Sequence, residues 1–522
     1  LGSANQSLIR LAVGRCPIPN NPISCIEAVN DVLGRLDLPV SRSVIYERVA
    51  REIGSTRALT REGQARDRDM FVTLVRELVE IADDGSSPAL PIYTQAGQEA
   101  AARNTFRLVR PMIEFYSERL GVPFVFPSYT HVTVVEHVHG AMEQAGFSFV
   151  DPIWLTTGPQ GEAPEDWVER GYTAHMITHQ WFGGIVNYRS VSQTWLNEGF
   201  ASYLDKLWVE QRHGAGEFGA LMRQVAHKVT RTDDRQTGLP LVHRALDHAN
   251  DIFTMGGGKI YGKGAWLLHM LRQRLGDDLF FEGVRRYLEE NRWQGVETQD
   301  LRRTLEEVSG LDLEQFFQQW VYQGGVPLLN VASSWDIEAA QATVVVTQTQ
   351  AIDNTRPAFN TPLELLVRVA GVDTTIAVQL TEAHHEFTWR FAQEPDFICI
   401  DPRGALLKGL QLEAPRAQLI AQAHAAPTAV ARLDAIAALG EIDHVDAEQA
   451  LIEIVANEQE EVAVRQRAVP VLAARQTPLA LAALQARLND TTPLVRMAVV
   501  RGIGSFIGSP VAHETLLGKV DV

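Results

Sequence analysis

The sequence predicts an α+β multidomain chain: a mostly helical central domain, then a β-sandwich, then a C-terminal α-solenoid. Three observations predict it. Between about residues 166 and 325, apolar residues recur at helical spacing, most regularly over Ala265–Leu275 and Phe280–Glu290. After Gly324-Gly325-Val326-Pro327 the pattern changes to alternation of β-branched residues. The short strands expected there are Thr343–Thr347, Leu363–Val369, Thr374–Leu380, Phe387–Phe391 and Ile398–Ile400, with turns between them. Beyond residue 414 the chain is Ala-rich and repeats itself. Ala431-Arg432, Val464-Arg465 and Val495-Arg496 align, with the arginines 33 and 31 residues apart. That period belongs to stacked helix pairs of the HEAT type; an irregular helical bundle is the alternative.

The first part of the chain is less patterned. Ser7–Val13 reads as a strand, while Ile26–Leu36, Val44–Ile53 and Phe71–Ile81 have helical spacing. Asp83-Asp84-Gly85-Ser86-Ser87-Pro88 then breaks the pattern. Residues 1–88 are therefore expected to be a helical remnant or insert. Leu90–Tyr93 and His131–Val135 read as strands, and Gln98–Leu120 as one helix kinked at Pro111. The expected domains are 1–88, 89–325, 326–413 and 414–522.

The bulk numbers exclude several classes. The 522 residues are 45% hydrophobic and carry a net charge of −17. Such acidity disfavours nucleic acid and anionic membranes, because phosphate contacts need clustered cations. It suits cationic ligands such as a free amino terminus. No uncharged apolar run approaches the ~18 residues of a membrane span. Leu1-Gly2-Ser3-Ala4 has neither the charged nor the apolar region of a signal peptide. Cys16, Cys25 and Cys399 fit no metal motif. A reducing, cytoplasmic compartment is expected, with a Cys16–Cys25 bridge as the alternative.

The chemistry is concentrated in His175-Met176-Ile177-Thr178-His179. Two histidines four residues apart on a helix share one face, so both imidazoles can reach one cation at ~2 Å. Alone, such a pair is as compatible with ordinary packing. Its context is more specific: eighteen residues separate His179 from Glu198, which stands within Trp195-Leu196-Asn197-Glu198-Gly199-Phe200-Ala201-Ser202-Tyr203. A carboxylate at the start of the next helix completes a three-ligand site with an open fourth position, as catalytic zinc sites require.

His-x-x-x-His followed by Gln180-Trp181-Phe182-Gly183, and then the Trp195–Tyr203 segment, resembles the aminopeptidase N family of gluzincin metallopeptidases. Gly140-Ala141-Met142-Glu143-Gln144 resembles that family's Gly-Ala-Met-Glu-Asn motif. Tyr261-Gly262-Lys263-Gly264-Ala265 resembles the segment carrying its transition-state tyrosine. The resemblance is strong over about 89–325 and implies a thermolysin-like fold there. It implies Zn2+ on His175, His179 and Glu198. It also implies Glu143 as the anchor for a substrate's α-amino group, Tyr261 as the oxyanion donor, and peptides with a free N-terminus as ligands.

Two departures stand out. The residue after the first histidine is Glu in the family and Met176 here. That Glu takes the proton of the attacking water and hands it to the leaving amine, and a thioether does neither. No segment here matches the N-terminal β-domain that supplies polar residues for the substrate's first side chain. Glu136, His137 and His139 are the nearby alternatives to a missing base, against ordinary strand polarity. Asn197 either orients Glu198 or caps its helix. Glu143 has a surface strand-end reading, and Tyr261 that of a half-buried helix-start residue. Gly256-Gly257-Gly258 reads as a loop, since no P-loop Lys-Ser/Thr follows. The expected function is a zinc-binding, aminopeptidase-like protein with impaired turnover. The alternative is an inactive pseudopeptidase that binds peptides or, through its helical repeats, a protein partner.

Overall fold

The computed structural model describes residues 78–81, 85–134, 141–155, 172–235, 239–243, 259–354 and 356–520. The readings for Ser7–Val13, Ile26–Leu36, Val44–Ile53, Cys16, Cys25, Glu136, His137, His139 and the Gly256–Gly258 loop fall outside those residues. The chain divides into two compact units, residues 1–118 with 122–185, and residues 119–121 with 186–522.

The first unit is built on a sheet of β1 (Leu78–Ile81), β2 (Ile92–Gln95), β3 (Thr130–Thr133), β4 (Ala141–Gln144) and β5 (Phe147–Val150). The strand order is β1-β2-β3-β5-β4. β2, β3 and β5 run parallel, with antiparallel β1 and β4 at the edges. β3 and β5 are buried along their whole length, as central strands of such a sheet must be. His131 at the centre stacks on Phe106 and makes a 2.9 Å hydrogen bond to Ser148. Burial drives its pKa down to about 3, so it is neutral.

The helix expected over Phe71–Ile81 is not continued at its end. Leu78–Ile81 is a strand paired with β2, so the expected boundary at residue 88 falls between two neighbouring strands of one sheet. Alternation over four residues was hidden in a run that also fits a helical stripe. Gln98–Leu120 forms two helices, α1 (Glu99–Phe106) and α2 (Val109–Leu120). The break lies at Arg107-Leu108. Pro111 is the third residue of α2, where the missing N–H would have had no intrahelical partner, so it produces no kink. The unit's last described helix, α3 (Tyr172–Thr178), carries the histidines.

The second unit opens with the short strand β6 (Asn187–Tyr188) and the long α4 (Trp195–Arg235). α4 is two helical stretches joined at Gly214, where φ is +84°. A Cβ there would meet no atom within 4 Å, so the torsion alone calls for glycine. A π-turn (Lys259–Lys263) leads into α5 (Gly264–Leu275), α6 (Asp277–Glu290), β7 (Gly295–Val296), α7 (Thr298–Ser309) and α8 (Glu314–Phe317). β6 and β7 pair in parallel, a small sheet inside a region expected to be helical.

The sandwich follows, with β8 (Leu328–Asp336), β9 (Gln341–Gln348), β10 (Thr361–Val369), β11 (Val372–Leu380), β12 (His384–Arg390), β13 (Phe397–Ile400) and β14 (Gly409–Glu413). One sheet has the order β11-β10-β13, the other β12-β9-β8-β14. Ala342, Val344, Val346 and Gln348 of β9 are buried in alternation, the period-two pattern of a half-covered strand. β8 and β14 were not anticipated; β14 pairs in parallel with β8, across a separation that local pattern does not carry. Cys399 is a free thiol in β13, and burial pushes its pKa up to about 12.

Seven helices complete the unit: α9 (Arg416–Ala425), α10 (Ala429–Gly440), α11 (Val445–Ala456), α12 (Val462–Ala473), α13 (Pro478–Gln485), α14 (Pro493–Gly504) and α15 (Pro510–Val520). Thr428 and Thr477 cap α10 and α13 by accepting the N–H of the third helical residue. The repeated arginines explain the period. Arg432 donates to the Ala426 carbonyl, Arg465 to the Val455 carbonyl and Arg496 to the Asp490 carbonyl. Arg432 and Arg496 reach back to residues just before their own helices and Arg465 to the last turn of α11, each satisfying an oxygen there. Arg465 is buried and pairs with the buried Asp490.

Breaking that pair leaves a charge in the core, whereas replacing both partners does not. Arg465→Met should lower stability by ~3–5 kcal/mol, and Arg465→Met with Asp490→Leu should recover most of it. Urea unfolding followed by circular dichroism reads both. An Arg465→Met protein as stable as the parent would remove the pair from this account.

Candidate metal centre

α3 is seven residues long, and Thr173 to Thr178 are all buried. His175 lies on it and His179 follows its last residue. The turn continues beyond, because Trp181 and Phe182 both donate their N–H to the Thr178 carbonyl. The one-turn spacing is thereby kept, and the two Nε2 atoms stand 3.1 Å apart. His179 Nδ1 lies 3.0 Å from the Phe182 carbonyl. A carbonyl only accepts, so Nδ1 carries the proton and Nε2 presents its lone pair, the tautomer a metal ligand needs.

Glu198 sits in the first turn of α4, at the positive end of the helix dipole, and is buried. His175 and His179 belong to the first unit and Glu198 to the second, and all three are buried and of the types that hold a metal ion. Two nitrogens on one tetrahedral zinc at ~2.0–2.1 Å would be ~3.3 Å apart, close to the separation of the two imidazoles. Among the described residues no other three His, Cys, Asp or Glu are candidates for a metal ion. The residues present fit a zinc ion. Met176, next to His175, is 2% exposed.

Glu143 is on β4, with Oε1 4.0 Å from His179 Nδ1 and its side chain 27% exposed. The contact is fixed by Gln180. Its Oε1 accepts from the Gly146 N–H at 2.8 Å, and its Nε2 donates to the Gln144 carbonyl at 2.9 Å. Both backbone groups belong to the turn between β4 and β5, so the residue after His179 latches the hairpin that carries Glu143. Trp181 adds a second anchor by donating to the Val122 carbonyl at 2.8 Å. Neither residue was singled out from sequence, although both stand in the motif around His179. Trp154 and Tyr172 stack outward from His175 as a column of rings, with Trp154 50% exposed.

In the second unit, Tyr261 is half-buried on the π-turn. The turn is pinned on both sides: Lys263 Nζ donates to the Gly325 carbonyl at 2.9 Å and Lys259 Nζ to the Leu239 carbonyl at 3.4 Å. Gly199 and Gly264 let this turn approach α4. A Cβ on Gly199 would come 2.9 Å from Gly264 Cα, so any side chain would push the Tyr261 segment off the helix that carries Glu198. The glycine after Glu198 is therefore part of the site's construction. Asn197 is not a cap. It is the third residue of α4 and donates to Asn187 Oδ1 at 3.0 Å, tying the first turn of α4 to β6.

Residues 105–320 match the family model described as Peptidase family M1 domain, and residues 416–504 that of HEAT repeats. Aminopeptidase N of Lactococcus lactis is 28% identical over 257 residues, 48% of this chain and 30% of that protein. Leucyl aminopeptidase of Saccharolobus solfataricus is 27% identical over 257 residues, 49% of this chain and 32% of that protein. Tricorn protease-interacting factor F2 of Thermoplasma acidophilum is 27% identical over 281 residues, 50% of this chain and 36% of that protein. The matched stretch thus spans about a third of each relative's length. The crystal structure of Legionella pneumophila aminopeptidase A in complex with aspartic acid superposes with a TM-score of 0.64 at 15% identity, over 84% of this chain and 55% of that one. At that identity the likeness concerns the fold. No helix among the described residues is long and apolar enough to cross a membrane. The chain thus carries a Peptidase family M1 domain over residues 105–320, and over about half its length it is similar to aminopeptidases.

Proposed function

We propose that the protein binds the free N-termini of peptides at a zinc ion held by His175, His179 and Glu198, and that it turns them over poorly. The observation that carries the reading is the pair of buried imidazoles with Nε2 atoms 3.1 Å apart, with buried Glu198 as the third candidate ligand and a methionine next to the first. Zinc, when bound, acts as a Lewis acid on a carbonyl and lowers the pKa of water to ~7. The chain's own residues do the rest. Glu143 offers a carboxylate to the peptide's ammonium, a charge-assisted pair that selects chain ends over internal residues. Tyr261 offers a phenol hydroxyl to the oxygen that gains charge when the carbonyl is attacked. Met176 offers nothing that takes a proton at neutral pH. Binding and polarisation survive, and proton transfer to the leaving amine does not.

The family resemblance supports peptide ends as the ligand, and Met176 supports slow turnover. We assign the HEAT repeats to a protein partner, since stacked repeats build extended binding surfaces. In a pseudopeptidase that surface and the peptide cleft would be the whole function.

The first test is metal content. Protein purified in zinc should carry about one ion per chain, and Glu198→Ala should lose it, because two imidazoles alone leave the ion under-coordinated. Metal-free protein by elemental analysis would refute the centre.

The second test is turnover. Short peptides and amino-acid hydroxamates should bind while aminoacyl fluorogenic substrates turn over near background. Met176→Glu should raise turnover by ~10²-fold or more, the usual worth of a positioned general base. Robust zinc-dependent hydrolysis by the unmodified chain, abolished by Tyr261→Phe, would show that another residue serves as base.

A further inference from the structure

Three rings stacked outward from His175 have no part in that function. Tyr172 stands one turn before His175 on α3, so the two side chains share a face. Their rings stack at 5.3 Å and 26°. Trp154 stacks on Tyr172 at 5.6 Å and 19°. Exposure rises along the column, from 6% at His175 to 38% at Tyr172 and 50% at Trp154. The column therefore leads from a buried candidate ligand to solvent, and all three rings belong to the first unit.

Trp154 is fixed in place. It closes the 3₁₀ turn Pro152–Trp154 just after β5. Its N–H donates to the Asp151 carbonyl at 2.9 Å, and the N–H of buried Leu155 donates to the Pro152 carbonyl at 3.0 Å. β5 pairs with β4, and Gln180 latches the turn between them. One hairpin thus carries the carboxylate of Glu143 and leads straight into the exposed indole. A ring of this size gains free energy on burial, so a rigid indole left half open is apolar area for a ligand to cover. Because it is already held, covering it costs little ordering. Among the described residues Trp154 stacks on no ring but Tyr172. The rings are close to parallel, so a further ring laid on the indole meets an offset-stacking face. A cation would find the same face but leave most of the apolar area uncovered.

We propose that Trp154 and Tyr172 select peptides with an aromatic side chain, which lies on the exposed end of the column while the amino terminus is held at the metal centre. The inference rests on the reading of that centre as a peptide N-terminus site. Trp154 is the specificity-determining residue, and Tyr172 keeps it in line with His175.

Isothermal titration calorimetry on the zinc-loaded full chain tests this. The ligands are alanine tripeptides with phenylalanine, cyclohexylalanine or lysine placed at the first, second or third position, each also in N-acetyl form. Cyclohexylalanine matches the apolar bulk of phenylalanine without the aromatic face. At one position phenylalanine should bind about fivefold or more tighter than cyclohexylalanine, as an aromatic pair gives beyond its apolar area. Trp154→Ala should abolish that difference and Trp154→Phe should retain most of it. Both variants should keep the zinc content and circular dichroism of the parent, which reports that they are folded. Equal binding of phenylalanine and cyclohexylalanine at every position, tighter binding of the lysine peptides, a preference that survives Trp154→Ala, or no binding of any peptide would overturn the proposal. The N-acetyl forms separate the two readings. If they bind as well as the free amines while phenylalanine still outbinds cyclohexylalanine, the N-terminus site is wrong and the column stands. If the free amines bind tighter and the two side chains bind alike, the column is wrong and the N-terminus site stands.

Discussion

Burying two imidazoles side by side constrains everything around them. With Nε2 atoms 3.1 Å apart, His175 and His179 cannot both present a proton inward. One at least must carry its proton on the far nitrogen, which needs an acceptor there. For His179 the acceptor is the Phe182 carbonyl, available because the chain turns sharply after α3. The same turn presents Gln180 to the β4–β5 hairpin and Trp181 to the Val122 carbonyl. A seven-residue helix has little stability of its own. It is held by these side-chain hydrogen bonds to backbone, so ligand geometry and local fold are one set of contacts. The position of Glu143 follows from them.

Met176 gains meaning in that setting. A buried methionine beside a ligand is apolar volume in a place that otherwise holds polar groups. The neighbouring framework is retained nonetheless: the proton on the outer nitrogen of His179, the Gln180 latch, the pinned π-turn and the Gly199–Gly264 contact. None of them takes part in moving a proton to a leaving group. They fix where things lie. On the function proposed above, a site with these positioning elements and no base is a binding site of defined shape.

The candidate site was more legible in the sequence than the fold around it. His175, His179 and Glu198 stand out as candidates because metal ligation restricts residue type and spacing together, and such restrictions are visible without tertiary context. Long periodic helices such as α5 and α6, and the alternating β9 and β10, were legible for the same local reason. Leu78–Ile81 was misread because four residues cannot separate a period of two from one of 3.6. The parallel pairing of β14 with β8 depends on contacts across some eighty positions and leaves no local trace. Gln180 and Gly199 were visible as letters in a motif, but their work, a side chain bridging a hairpin and an absent side chain admitting a helix, exists only in three dimensions. The arginine period was read correctly as a repeat, and the structure supplies its reason in the carbonyls those arginines reach.

Gly214 divides α4 by torsion alone. Its side of the chain faces open space, and only its positive φ breaks α4. That one torsion decides the direction in which the second stretch of α4 leaves the first. The course of a long helix is thus held in one backbone angle, at a residue with no side chain. Drift at such a position redirects everything the second stretch carries without changing a single side chain on it. Comparing contact residues alone between related chains would miss that change.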